Sequence, residues 1–207
     1  MVKLLSQIDK AAIADAITKA ERTTRAELVT VVALASDAYQ SYFLTYGLLL
    51  GSALDIGLWS TKTLSAFPWL LAIQLVVMAL FSFIPCVRHL FVWLVPEHIR
   101  HHRAAHRAYE EYLTISRHVS AATPVVLLYI SIAEHYAHIL TSRLVQEKIP
   151  DENWNAVVNK LIAAIPLEGI PTACIKTIQY AAELLAQYFP ETGQAHQIDH
   201  TVIEGKD

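Results

Sequence analysis

Positive charge is missing from this chain between Arg25 and Lys62, and charge of either sign is missing between Lys62 and Arg88. The two gaps contain the apolar runs 42–59 and 67–84, joined by a short turn at 60–66. A run of roughly 20 mostly apolar residues is long enough to cross a bilayer as a helix. Two such runs and a tight turn predict a transmembrane hairpin over 40–86, with helices at about 42–60 and 67–85. The hairpin interrupts soluble α/β protein, with one part at 1–39 and the remainder at 87–190, followed by a polar tail at 191–207.

An apolar content of 54% and a mean hydropathy of +0.36 exceed the usual soluble range, and the excess sits in the two runs. A net charge near −3, with no Lys/Arg block, offers no field for a phosphate backbone, so nucleic acid is not expected as a partner. Residues 1–10 lack the apolar core of a signal peptide, and the N-terminus is expected to stay where it is made. Cys86 and Cys174 are too few for a disulfide framework and read as buried thiols.

Cations set the orientation. Of 16 Lys and Arg residues only Lys62 lies in the hairpin turn, while Arg88, Arg100, Arg103 and Arg107 follow closely after the second run. Positive residues favour the cytoplasmic side of short flanks. The expectation is therefore a multi-pass inner-membrane protein with both termini cytoplasmic. The competing reading, two buried helices of a soluble protein, has to explain why core helices run so long without charge. Asp55 lies four residues before Trp59, about 6 Å of helix rise from that interfacial aromatic. Gln74 is placed to bond across the hairpin. Two helices cannot enclose a pore, so transport is not expected.

In the flanks, Leu5, Ile8, Ala12, Ala16 and Ala20 recur at helical spacing, with Ser6 as N-cap and Asp9 three residues on. The β-branched run 27–34 predicts a buried strand. Residues 87–95 are expected along the membrane interface, and Pro96 opens a helix through about Arg117. A second buried strand follows at 125–132, a turn at Ala133-Glu134-His135, and a third strand at 136–141. Asp151 is expected to cap a helix bearing Trp154, Val157, Val158, Leu161, Ile162 and Ile165 on one face. Pro171 opens the last helix, with Ile175, Ile178, Ala182, Leu185 and Phe189 as its stripe. The fold class is α/β: a small mixed-sheet helix sandwich interrupted by a two-helix transmembrane hairpin. Strand 27–34 cannot form a sheet alone, and its expected partner is 125–132, on the far side of the insertion.

Thr24-Arg25-Ala26-Glu27-Leu28-Val29-Thr30-Val31-Val32-Ala33, followed by Ser36-Asp37-Ala38-Tyr39, resembles the opening of the TPM domain. Residues 125–134 resemble its second strand and Ala-Glu turn, and 148–154 the segment before its tryptophan-bearing helix. The resemblance spans nearly the whole chain and includes the inserted hairpin of some bacterial members. It implies a mixed α/β sandwich and, in some members, phosphatase activity with bound calcium. Glu27, Asp37 and Glu134 match acidic positions of the family and are the candidate catalytic residues. The Asp-Gly that usually follows the third strand is replaced by Thr141-Ser142-Arg143-Leu144. One carboxylate is thus missing where a hard divalent cation wants several oxygen ligands.

Histidines mark the helix after the hairpin. His98, His102, His106 and Glu110 fall at successive steps of four and stack on one face. Neighbours one turn apart can share Zn²⁺ or Cu²⁺, but the outer two lie about 18 Å apart. Arg100, Arg103 and Arg107 interleave and repel a cation. The alternative is a juxtamembrane helix drawn to anionic headgroups, its charge growing below pH ~6.5.

The sequence expectation is a membrane-anchored module with little or no catalysis, binding the lipid bilayer and a membrane or peripheral protein. The alternatives are a divalent-cation-dependent acid phosphatase, with Ca²⁺ or Zn²⁺ as its ion, and a Zn/Cu site on the histidine helix.

Overall fold

A computed structural model describes residues 6–61, 67–83, 92–191 and 203–204. The chain divides into two compact units, one formed by Met1–Ser36 with His101–Asp207 and the other by Asp37–Arg100.

In the first unit, helix α1 (Gln7–Glu21) starts at the expected cap: the Asp9 N–H donates to Ser6 Oγ at 3.1 Å, and the Ser6 N–H donates back to Asp9 Oδ2 at 2.9 Å. Strand β1 (Glu27–Ala33) pairs in parallel with β2 (Val125–Ser131) along its whole length, Glu27 opposite Val125 and Ala33 opposite Ser131. The expected pairing across the insertion is present. β3 (Tyr136–Thr141) runs antiparallel to β2 after a turn in which His135 adopts a left-handed φ of 50°. A two-residue strand, β4 (Ile203–Glu204), adds in parallel to the other side of β1, giving the order β3-β2-β1-β4.

Every residue of β1 and β2 is buried, because helices cover both faces of the sheet. On one face Leu28, Val32, Val126, Leu128 and Ile130 pack with α1 and with the two long helices at Asp151–Glu168 and Ile170–Tyr188. On the other, Val29, Val31, Leu127 and Tyr129 pack with Ala108 and Ile115 of α4 (Glu97–Ser116). α5 (Arg143–Gln146) is a single turn, too short to carry a periodic signal in the sequence.

α6 (Asp151–Glu168) corrects the expected cap. Pro150 is the N-cap residue with no side-chain cap bond, and Asp151 is the first helical residue. A carboxylate in the first turn still complements the helix dipole. Pro166 sits in the last turn of α6, and Gly169, at φ 82°, turns the chain into α7 (Ile170–Tyr188). That φ is one glycine accepts without strain.

The second unit holds α2 (Gln40–Ser60) and α3 (Phe67–Phe83), packed against each other. Gly47 and Gly51 of α2 are buried, and a Cβ added at Gly47 would stand 3.1 Å from Met78 Cα. Gln74 bonds across the pair, its Nε2 donating to the Leu48 carbonyl at 3.2 Å. Leu49, Leu50, Leu54, Ile56, Leu71, Leu75, Val76 and Leu80 are exposed. α2 is long and apolar enough to cross a membrane, whereas the apolar part of α3, Pro68–Phe81, is shorter. One helix rather than the expected two meets the length criterion among the described residues. A cluster of Tyr39, Phe43 and Val95, joined by Phe81 and Ile99, completes this unit beside a 3₁₀ turn at Val92–Leu94. The turn residue Lys62, the interfacial segment before Val92 with Cys86 and Arg88, and most of the tail lie outside the described residues.

Candidate functional site

Ligands of open α/β sheets gather at the carboxyl ends of parallel strands. At that end β1 and β2 deliver a polar cluster into an otherwise apolar layer. Side chains alternate along a strand, so Tyr129 and Ser131 of β2 share the face toward α4. Ala33 stands opposite Ser131, and three residues on Ser36 closes over the same point.

Glu134 organises the cluster. It is fully buried, and its Oε1 accepts the Ser36 N–H at 3.0 Å. Its Oε2 accepts the Ser131 hydroxyl. Ser36 Oγ donates to Ser131 Oγ at 2.8 Å and lies 3.0 Å from the Tyr129 hydroxyl. A carboxylate only accepts, so the direction of every bond follows: Tyr129 donates to Ser36, Ser36 to Ser131, and Ser131 to Glu134. Burial raises the Tyr129 phenol above its ordinary value; the Ser36 bond opposes that, Glu134 adds to it, and Arg107 and Glu111 of α4 act in opposite senses.

This arrangement can pass a proton along three hydroxyls to a carboxylate. Acyl transfer would also need a donor for the oxyanion, and the Ser36 N–H is already committed to Glu134. The cluster ties the residue where the chain leaves the first unit to the β2–β3 turn.

Glu27 and Glu134 are not brought together. Glu27 opens β1 and Glu134 follows β2, so about 20 Å of parallel strand separates the two ends. Two carboxylates at that distance cannot share an ion. Glu27 is buried, and the neighbouring Leu28 N–H donates to buried Glu21 Oε1 at 3.2 Å. Asp37 belongs to the second unit, where its Oδ1 accepts the Tyr39 N–H at 3.1 Å and holds the turn into α2.

His98, His102, His106 and Glu110 all lie on the exposed side of α4. His106 Nδ1 is 3.5 Å from Glu110 Oε1, and Arg107 reaches Glu110 at 3.4 Å and Glu111 at 2.9 Å. Among the described residues no three His, Cys, Asp or Glu side chains gather closely enough to hold a metal ion. Cys174 is buried, and burial pushes its thiol up to about 12.

The sequence reading named Glu134 but missed its partners. Tyr129 and Ser131 interrupt an apolar strand two residues apart, which places both on one face. The Gly47-Leu48-Leu49-Leu50-Gly51 spacing in α2 was a second unread signal, since small residues four apart let helices approach closely.

No family model matches this chain, and no curated protein matches it. Among solved structures it is similar to BA42 protein from the psychrophilic bacterium Bizionia argentinensis, solved by NMR. That similarity covers 99% of this chain and 98% of the other, at 14% identity and a TM-score of 0.62. At that identity the likeness concerns the fold alone.

Proposed function

We propose that this chain is a membrane-anchored, TPM-like α/β module that serves as a binding or scaffold protein with little or no catalysis. Its second unit is a hairpin in the bilayer, and both termini face the cytoplasm, where all but one of the Lys and Arg residues would lie. The observation that carries the anchoring is the inside-out distribution of side chains in the α2–α3 pair. Gly47 and Gly51 face the partner helix, while leucines, Ile56 and Val76 face outward. Water makes such a surface a liability, and lipid makes it the stable arrangement.

The weak catalysis follows from the acids. Glu134 is buried and spent on hydrogen bonds, and Glu27 lies at the other end of the sheet. The position where the TPM resemblance expects a further Asp holds Arg143 or its uncharged neighbours. The partners of this reading are the bilayer and a membrane or peripheral protein.

The test is hydrolysis of p-nitrophenyl phosphate by full-length protein in detergent, with and without added Ca²⁺ or Mg²⁺. Turnover should stay at background. Divalent-dependent turnover that Glu27→Ala or Asp37→Ala abolishes would replace this reading with a phosphatase.

A further inference from the structure

α4 buries Ala108 and Ile115 against the sheet, and its opposite side carries a regular stripe. His98, His102, His106, Tyr109 and Leu113 follow one another at steps of four, four, three and four, the spacing of a single helix face. All five are exposed, Tyr109 at 54% and Leu113 at 39%. Three ionisable rings thus stand in line with two apolar side chains left exposed by the described residues.

The charge of the helix makes this stripe conditional. Arg100, Arg103 and Arg107 are balanced by Glu97, Glu110 and Glu111, so with neutral histidines α4 has a formal charge of zero. Arg107 is held by Glu110 and Glu111. A constant basic patch is therefore absent from α4, and its positive charge depends on histidine. An unperturbed imidazole gains its proton near pH 6.5. Protonating the three exposed rings takes the helix from zero to +3, while His101 packs against Tyr136 of β3, ring centroids 5.5 Å apart. Glu110 Oε1 lies 3.5 Å from His106 Nδ1, and Arg107 reaches the other Glu110 oxygen. From the sheet, Tyr129 is the titratable group coupled to Arg107 and Glu111.

We propose that the His98–Leu113 stripe of α4 docks on an anionic lipid surface in acid and leaves it near neutral pH. A helix with cationic groups and interspersed aromatic and apolar side chains lies in the headgroup plane. Each cation near an anionic leaflet is attracted to it within a Debye length. Three charges gained together suffice to switch the contact. The proposal deepens the membrane-anchored reading by adding a regulated second contact with the same bilayer.

The test uses full-length protein in nanodiscs of phosphatidylcholine alone or mixed with phosphatidylserine. A spin label is placed at Leu113→Cys in a Cys86→Ser background; buried Cys174, its thiol pushed up to about 12, stays unlabelled. Label exposure to a water-soluble relaxation agent should fall severalfold between about pH 7.5 and about pH 5.5 in the phosphatidylserine discs only. The change should vanish when His98, His102 and His106 are all replaced by Gln. Equal exposure at both pH values, or an equal fall in both lipids, overturns the proposal. So does an unaltered response in the triple Gln variant, which would assign the contact to a protein surface or to other groups. Should Leu113→Cys disturb the fold, a label at Tyr109→Cys gives the same reading. Failure of the anchoring shows differently: the protein then stays soluble outside the discs, and pH-dependent sedimentation with phosphatidylserine vesicles still decides the role of α4.

Discussion

At the residue scale the molecule is governed by how a few buried polar groups are satisfied. Replacing Glu134 with Gln turns one of its two acceptors into a donor facing Ser131. The hydroxyl chain must then reverse and ends on the buried Tyr129 oxygen. A buried polar group left without its partner costs about 1–3 kcal/mol. Glu134→Gln should therefore lower the thermal midpoint of the first unit, and Tyr129→Phe should cost less in that background than in the wild type. Additive costs in a double-mutant cycle would show that the chain is not coupled. His138 on β3 gives the pH dependence its sign. Burial holds its imidazole below the ordinary value, and Asp151 opposes that. The unfolded chain then binds the proton more readily, so stability is full above about pH 6.5 and is lost as pH falls toward the folded value. Melting in neutral detergent should show this loss on acidification, and His138→Gln should lessen it. An unchanged slope would remove His138 from the account. Glu134 itself was legible in the sequence only through the resemblance of residues 125–134 to a strand and its Ala-Glu turn. Its partners were not, since their convergence depends on strand register and on the path of Ser36 after β1.

At the scale of elements, periodicity carried most of the information. The β-branched runs became β1 and β2, the Ser6–Asp9 box became the start of α1, and the long stripes became α6 and α7. Two elements escaped because they carry no period: α5 is one turn, and β4 pairs through two residues. The α2–α3 pair depends on close backbone approach at Gly47. A Leu there would push its Cβ and branches into Met78 backbone already 3.1 Å away. Gly47→Leu should split the pair and expose Gln74, whereas Gly51→Ala meets the movable Gln74 side chain and should be tolerated better. Cysteine cross-linking between Leu48 and Gln74 positions, efficient in the parent and lost in Gly47→Leu, is the readout. Equal cross-linking in both would contradict the glycine packing.

At the scale of the whole molecule, an insertion divides one sheet's strands between two distant stretches of chain. Strand 27–34 demanded a partner, and the parallel pairing with 125–131 supplies it. The candidate acids could not be ranked from sequence in the same way. Parallel pairing sends Glu27 and Glu134 to opposite ends of the sheet, and a list of matching positions does not show which end each residue takes. The account rests on lipid as the surroundings of the α2–α3 hairpin. Alkaline carbonate extraction of cells expressing the full chain tests this most directly. The protein should remain in the membrane pellet and come free only with detergent; recovery in the aqueous fraction would contradict the anchoring.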